Sequence, residues 1–255
     1  MSRSLSRPPI DIVLSTAEAA ARPEVFDGRT VVVIDVLRAT SSASTALANG
    51  AAAVLAVAEV EEARAAARAL GALGVPALLG GERDGLRIDG FDCGNSPREY
   101  TPEVAGGRMV ILTTTNGTKA VRLAAPRADQ LYIACFLDID SLVGHLARQR
   151  RAYGAGGIVF FASGTKGEPV LEDTTCAVLG ARLAEAAGLG TPTPAAAATA
   201  TVIAPHLDDL PAMMRHSKHG QDLIALGFEA DLDFCARRRI YSRPSMLNGD
   251  RITNV

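Results

Sequence analysis

The sequence TVVVIDVLRATSSAS, residues 30–44, has the pattern of a strand, a turn and a helix start. Its β-branched run at 31–34 is typical of a buried parallel strand, and Asp35 stands where that strand should end. Arg38, Thr40 and Ser41 crowd the turn that follows, where hydroxyl side chains favour capping a helix predicted at 42–49. Ligands of open α/β sheets bind beyond the carboxyl ends of the strands, so this turn is the first candidate site. A helix cap beside a surface ion pair is the alternative interpretation.

Strand-turn-helix units recur along the chain and predict an α/β fold, with a mostly parallel sheet and helices on both faces. No strand is expected after Gly190, where helices are predicted at 195–203, 207–215, 221–226 and 229–239. We therefore expect an α/β core over residues 1–190. Residues 191–255 are expected to form a C-terminal helical annex packed on that core.

Composition narrows the choice of partners. The net charge of −2 gives no basic field for a nucleic-acid backbone, so no nucleic-acid partner is expected. No apolar stretch has the length of a membrane span or of a signal peptide's apolar region, which predicts a cytoplasmic protein without membrane contact. The four cysteines lack the CxxC spacing of zinc or redox sites, and we expect them to be reduced.

The turn TTTNGTK, residues 113–119, combines hydroxyls, an amide, a glycine and a cation at a predicted helix start. Backbone N–H groups at a helix N-terminus bind anions, and phosphate is the anion we expect here. The predicted contacts are Thr114, Asn116, Gly117, Thr118 and Lys119. An ordinary Asn-Gly turn would explain two of these residues but not the threonines and lysine around them.

SGTKGEPVLEDTT, residues 163–175, repeats this pattern with Ser163 and Lys166 and adds Glu172 and Asp173 at the next helix start. Acids in a first turn also stabilise a helix through its dipole, which is the alternative explanation. If these acids meet Asp35 at one sheet edge, their oxygens are the ligands that Mg²⁺ prefers. A magnesium ion bridging phosphate and water would then be a coherent site.

Standard phosphate-binding signatures are absent from the sequence. It has no GxxxxGK[ST] loop, no GxGxxG motif and no Asp-x-Asp nucleophile after the second strand. Cys176 and Arg182 have the spacing of a cysteine phosphatase loop, but they fall in a predicted helix, where residues six apart cannot cradle one anion. The four histidines show no metal-ligand pairing and are interpreted as surface or capping residues. Cys135 ends a predicted strand. It is interpreted either as a buried structural thiol or as a residue that lines the site.

Taken together, the motifs resemble the magnesium-dependent 2-phosphosulfolactate phosphatases of coenzyme M and sulfolactate metabolism. The matching pieces are DVLRATS (35–41), GGER (80–83), GFDCGNSP (90–97), TTTNGT (113–118), Cys135, SGTKGEPVLED (163–173) and SKHGQDLIALG (217–227). The resemblance implies an α/β fold, Mg²⁺ as cofactor, and hydrolysis of 2-phospho-3-sulfolactate to 3-sulfolactate and phosphate. Val178 stands where the family tends to have glycine, and residues 239–255 match poorly.

With this resemblance, we expect Asp35, Arg38 and Cys135 to be catalytic. Asp35, Glu82 and Asp173 are expected to hold magnesium, with Glu172 in reserve. Arginine grips oxyanions through two N–H groups, which favours Arg38 and Arg83 for phosphate or sulfonate. The expected substrate contacts are Thr40, Ser41, Arg83, Asn95, Ser96, Thr114, Asn116, Gly117, Thr118, Lys119, Ser163 and Lys166.

The expected partner is a small phosphorylated 2-hydroxy acid, and the apolar annex together with the resemblance favours a homodimer. Two other interpretations remain open at this point. One is a non-catalytic anion-binding or regulatory domain that uses the same turns without a metal. The other is a sugar-phosphate or nucleotide-dependent transferase on a Rossmann-like sheet.

Overall fold

A computed structural model describes residues 7–149 and 156–255. Within these two ranges the chain forms eleven strands and eleven α-helices. The strands are β1 (Pro9–Val13), β2 (Thr30–Ile34), β3 (Ala53–Val57), β4 (Ala77–Arg83), β5 (Leu86–Arg87), β6 (Met109–Thr113), β7 (Gln130–Ala134), β8 (Ile158–Ala162), β9 (Thr191–Pro192), β10 (Ser245–Asn248) and β11 (Arg251–Asn254). The helices are α1 (Thr16–Ala21), α2 (Ala39–Ala48), α3 (Val60–Ala72), α4 (Pro102–Ala105), α5 (Gly117–Ala124), α6 (Ile139–Arg148), α7 (Leu171–Ala186), α8 (Pro194–Ile203), α9 (Leu210–His216), α10 (Lys218–Ala225) and α11 (Glu229–Cys235).

The strands form one sheet in the order β5-β4-β6-β3-β11-β10-β7-β2-β8-β1-β9. Two groups of parallel strands make up most of it: β4, β6 and β3 on one side, and β7, β2, β8, β1 and β9 on the other. The predicted α/β class with a mostly parallel sheet is therefore confirmed. The sequence also predicts a helix at 139–151, and the last two of these positions lie outside the described residues.

The hairpin β10–β11 fills the gap between the two parallel groups. Strand β10 pairs antiparallel with β7, and β11 pairs antiparallel with β3. The expectation of no strand after Gly190 is therefore wrong, and the poorly matching tail joins the two halves of the sheet. Its strands have only four residues each, so hydrophobic alternation is weak. Gly249, with a φ of 63°, takes the first place in the two-residue loop between them.

Successive side chains of β2 face opposite layers of helix. Val32 and Ile34 belong to the apolar cluster that includes residues of α6 and α7. Val31 and Val33 belong to a second cluster on the other face, with residues of α2 and α5. Burying one such aliphatic side chain contributes about 1.5–3 kcal/mol, so packing on both faces fixes β2 and the turn after it. Helices on both faces of the sheet are confirmed.

Helices α8 to α11 follow the last parallel crossover, as the predicted annex requires. Helices α9, α10 and α11 contact one another, and α7 contacts both α8 and α9. The helix predicted at 229–239 ends at Cys235. The division of the chain at residue 190 stays a prediction. Among the helices of the described ranges, none combines the length and apolarity needed to cross a membrane.

Candidate active site

A cavity of about 260 Å³ opens where the parallel strands end. Side chains from the turns after β2, β6 and β8 line it, together with the end of β4 and one face of α10. Seven residues predicted from the sequence meet there: Asp35, Arg38, Glu82, Asn95, Thr114, Asn116 and Lys166. The geometry thus brings together five segments of the chain at one rim of the sheet.

The turn after β2 is held by its own hydroxyl groups. Helix α2 begins at Ala39, three residues earlier than predicted, and the side chain of the preceding Arg38 does not cap it. Thr40 donates its hydroxyl hydrogen to the Asp35 carbonyl at 2.8 Å, and Ser41 donates to the Val36 carbonyl at 2.7 Å. The helix-cap interpretation is wrong, because these hydroxyls fix the turn from within. Both side chains are buried and neither lines the cavity.

Asp173 ties the first turn of α7 to two other strand ends. Its Oδ1 accepts a hydrogen bond from the Val36 backbone N–H at 2.8 Å. Its Oδ2 accepts from the Ser163 hydroxyl and the Gly164 backbone N–H, both at 3.1 Å. Asp173 and Ser163 are therefore linked to the Asp35 turn, although neither lines the cavity.

The carboxylates at this rim repel one another. Burial raises the pKa of Asp173 well above its ordinary value, and the charges of Asp35 and Glu172 raise it further. Burial also raises the pKa of Asp35, and the charge of Glu82 adds to that effect. The Ala39 backbone N–H, which donates to Asp35 Oδ1 at 3.1 Å, lowers the pKa in part. The repulsion among these carboxylates would be reduced by a nearby positive charge.

Glu172 and His219 form a contact between α7 and α10. Glu172 is fully buried, and its Oε1 lies 3.2 Å from His219 Nδ1. Glu172 Oε2 has no hydrogen-bond partner among the described residues. Burial lowers the pKa of His219, but the hydrogen bond and charge of Glu172 raise it, and the net shift is upward. The surface or capping interpretation is wrong for His219, which lines the cavity. Its place in the SKHGQDLIALG motif was the available signal.

Arg38 is buried and held by residues of the C-terminal segment. Its Nη1 donates to Asp231 Oδ2 at 2.8 Å, and its Nη2 donates to the Gly85 carbonyl at 2.8 Å. The guanidinium carbon lies 4.2 Å from the centre of the Phe228 ring. Ser96, a predicted substrate contact, donates its hydroxyl to Asp231 Oδ1 at 2.7 Å instead of lining the cavity. Sequence reasoning missed Asp231, because nothing local to either residue indicates a pair 193 positions apart.

Glu82 lines the cavity with both carboxylate oxygens engaged. Its Oε1 accepts from the backbone N–H and the hydroxyl of Thr115, each at 2.9 Å. Its Oε2 accepts from the Gly85 backbone N–H at 2.8 Å. These bonds anchor the turns after β4 and β6 to each other. The expected role of Glu82 as a metal ligand stays a prediction.

Four other predicted substrate contacts do not line the cavity. The Arg83 guanidinium donates to backbone carbonyls and to Thr113 Oγ1. Lys119 is exposed on α5, while Thr118 donates its hydroxyl to a backbone carbonyl within the same turn. Gly117 packs against the site from behind: a Cβ there would lie 2.8 Å from Asp35 Oδ2. Its small size is therefore needed for the approach of the Asp35 carboxylate.

Cys135 lies at the end of β7, sealed from the cavity. It is fully buried, and its backbone N–H donates to Asp138 Oδ1 at 2.9 Å. Burial raises the pKa of the thiol well above its ordinary value, and the charge of Asp138 adds to this. Ile240 and Tyr241 cross this turn and donate their N–H groups to the Leu137 carbonyl. A protonated, covered thiol gives its expected catalytic role no support.

The acidic residues of the rim are the candidate ligands for a metal ion. Within residues 7–149 and 156–255, no group of three or more histidine, cysteine, aspartate or glutamate side chains is arranged to hold a metal ion. Asp35 nevertheless reaches the cavity, and the unpartnered Glu172 Oε2 lies buried in the same acidic cluster. Mg²⁺ is commonly held by one or two carboxylates, with water and substrate phosphate completing its shell. The donor chemistry of these residues fits that ion.

Comparisons with known proteins agree on one family. A family model described as 2-phosphosulpholactate phosphatase matches residues 15–246. Proteins named "Probable 2-phosphosulfolactate phosphatase" include one from Symbiobacterium thermophilum, 43% identical over 84% of this chain and 89% of its own length. Another, from Clostridium perfringens strain SM101, is 38% identical over 91% of this chain and 90% of its own. A third, from Thermotoga maritima, is 36% identical over 87% and 90%. The chain belongs to the 2-phosphosulfolactate phosphatase family.

Proposed function

We propose that this protein hydrolyses 2-phospho-3-sulfolactate to 3-sulfolactate and inorganic phosphate. The observation that carries the proposal is the cavity at the strand ends, where Asp35, Arg38 and Lys166 meet within the region that matches the family. The printed names of the relatives support the same reaction. Hydrolysis breaks the bond between the phosphorus and the ester oxygen, and water supplies the fourth oxygen of the released phosphate.

The cavity carries charges of both signs. Arg38, Lys166 and His219 face it as cations or hydrogen-bond donors, which suits a substrate with phosphate, carboxylate and sulfonate groups. Asp35, Glu82, Asp84 and Asp222 also line it, and acids repel such a substrate. A further cation would therefore strengthen the binding of a molecule with three anionic groups at this site.

Mg²⁺ is the cation that we propose. Asp35 would hold it from the cavity, with Glu172 or Asp173 as a second carboxylate, and the buried, mutually repelling acids support a cation here. The ion would offset the negative charge that develops on the phosphoryl oxygens. Arg38 and Lys166 would orient the anionic groups of the substrate, while the Thr115 and Asn116 turn would add neutral donors.

The experiment is a phosphate-release assay on a panel of phosphorylated 2-hydroxy acids, with Mg²⁺ or with EDTA. We expect release from 2-phospho-3-sulfolactate with Mg²⁺ and loss of release with EDTA. Release without a second substrate would exclude a transferase, and any turnover would exclude a purely anion-binding domain. Absence of release with Mg²⁺ would contradict the proposed reaction, while release that EDTA does not affect would contradict the metal.

We also propose a homodimer that acts in the cytoplasm. An open apolar groove includes Leu14, Pro169 and Val202, and Val202 is 73% exposed, which a second copy could cover. The four cysteines are free and buried, as expected in a reducing compartment. Sedimentation of the wild-type protein and of Val202→Asp tests the dimer: a twofold mass that the variant lowers supports it, and a monomeric wild type contradicts it.

A further inference from the structure

Three contacts hold the Arg38 side chain in place. An arginine carries five N–H donors in a rigid plane, and the Arg38 side chain is only 2% exposed. Two donors are used by Asp231 and the Gly85 carbonyl, both at 2.8 Å, and one face of the plane lies on Phe228. The guanidinium is therefore restrained in position and in tilt while still lining the cavity.

Asp231 is itself fixed. It is 1% exposed, and its second oxygen accepts the Ser96 hydroxyl at 2.7 Å. Asp231 lies in α11 and Phe228 immediately before it, whereas Ser96 and Gly85 belong to the loops after β4 and β5. Two separate segments thus contact Arg38, and a third, through Ser96, holds Asp231 in place. A buried ion pair is weak support for a stabilising role, because desolvating both charges offsets much of their attraction.

We infer that Asp231 and Phe228 are positioning residues that present Arg38 to an oxyanion of the substrate. This inference rests on the proposed function, because it assigns Arg38 to that anion. The remaining N–H donors of Arg38 are available for a sulfonate, carboxylate or phosphate oxygen. Because Asp231 already restrains Arg38 in the free protein, Arg38 loses less conformational freedom when the substrate binds. The segment around α11 thereby contributes to substrate affinity without touching the substrate.

The test compares Asp231→Asn and Arg38→Gln, singly and together, with a control on the same helix. Leu232→Ala removes a fully buried apolar side chain of α11 that has no polar contact with Arg38. Each protein is assayed for KM and kcat with 2-phospho-3-sulfolactate and Mg²⁺. Binding of the same compound is also measured by calorimetry in EDTA, and melting temperatures are recorded for all variants.

Asp231→Asn is expected to raise KM by roughly tenfold while kcat changes less than about threefold. In the Arg38→Gln background the same change should have no further effect on KM or Kd, because its action passes through Arg38. Phe228→Leu should raise KM by about threefold. Leu232→Ala should lower the melting temperature and leave KM near the wild-type value.

Unchanged KM and Kd in Asp231→Asn would overturn the inference, as would independent, multiplying effects in the double variant. An equal rise of KM in Leu232→Ala would also overturn it, because it would show a general effect of loosening α11. Failure of the proposed function is seen separately, as a wild type that releases no phosphate. The calorimetry in EDTA still tests Asp231 in that case, and a wild type that does not bind the compound contradicts the inference as well.

Discussion

The turns after β2 and β7 have the same strand register and similar backbone angles before their helices, but they carry different side chains. The two strands pair in parallel, with Ile34 beside Ala134, so Asp35 and Cys135 occupy equivalent places. Each helix begins four residues later, after Arg38 (φ −142°, ψ 2°) or Asp138 (φ −136°, ψ −5°). The first turn thus offers an acid and then a cation, and the second offers a thiol and then an acid.

The surroundings of the two turns decide what each can do. Asp138 folds back onto its own turn, accepting from the Cys135 backbone N–H and from the Ser44 hydroxyl at 2.6 Å. The chain around Tyr241 then covers it. Arg38 instead points away from its turn to Asp231, and Asp35 is left facing the cavity. A position at the end of a strand therefore makes a residue a candidate for the active site. Whether it reaches the cavity depends on whether another element covers its turn.

The largest effect is expected from substitutions at the two equivalent residues, Asp35 and Cys135. Asp35→Asn should lower kcat for phosphate release by roughly 10³-fold, because it removes a charge that we place next to the phosphoryl group. Its melting temperature should not fall, since burial raises the pKa of the Asp35 carboxyl. Cys135→Ala is the matched control and should keep kcat within about threefold. A large loss in the cysteine variant alone would reverse the assignment of the two turns.

A smaller effect on activity is expected from a substitution at Gly117, which packs against the Asp35 carboxylate. A Cβ at Gly117 would lie 2.7 Å from Ala39 Cβ and 2.8 Å from Asp35 Oδ2, so Gly117→Ala must displace the carboxylate. Activity should fall by roughly 10- to 100-fold with the fold retained. Gly144→Ala, in the helix after β7, is the control: its nearest contact would be 3.5 Å away, and it should leave activity unchanged. Equal activities of the two variants in steady-state assays would show that the position of Asp35 is not critical.

The smallest expected effect is a pH dependence of stability that arises from Asp138, in the buried turn after β7. Burial raises the pKa of Asp138 from 3.8 to about 6, so the folded protein binds more protons than the unfolded chain between these values. Stability should therefore fall as the pH rises, by about 1 kcal/mol from pH 5 to pH 7 through this group. Asp138→Asn removes that contribution. Urea unfolding of both proteins at pH 5, 6 and 7 measures it, and parallel pH profiles would show that Asp138 ionises normally.

Much of the sheet could be predicted because its parallel strands are short runs of buried aliphatic residues. The aliphatic run at 53–57 predicts a strand with the observed bounds, and the β-branched run at 31–34 lies within the strand Thr30–Ile34. The hairpin at Ser245–Asn248 and Arg251–Asn254 was missed, since partners from β3 and β7 stabilise it more than its own composition does. The Asn-Gly pair at 248–249 was the local signal of a turn.

The site could be predicted best where its residues lie at strand ends. Asp35 and Asn116 follow strands, Glu82 lies at the end of β4, and all three line one cavity. Asp231 and His219 could not be placed in the same way, because tertiary packing of the C-terminal helices brings Asp231 to Arg38 and His219 to the cavity. Arg83 was predicted to contact the substrate because of its sequence context. Its guanidinium instead donates hydrogen bonds to backbone carbonyls.

The most direct measurement is a crystal structure of the protein soaked with Mn²⁺, in place of Mg²⁺, and inorganic phosphate, with anomalous data to locate the metal. We predict a metal peak beside the Asp35 carboxylate and a phosphate next to it, in contact with Arg38 or Lys166 inside the cavity. A metal and a phosphate bound together elsewhere, with the Asp35 turn unchanged, would contradict the assignment of this turn as the reactive end of the sheet.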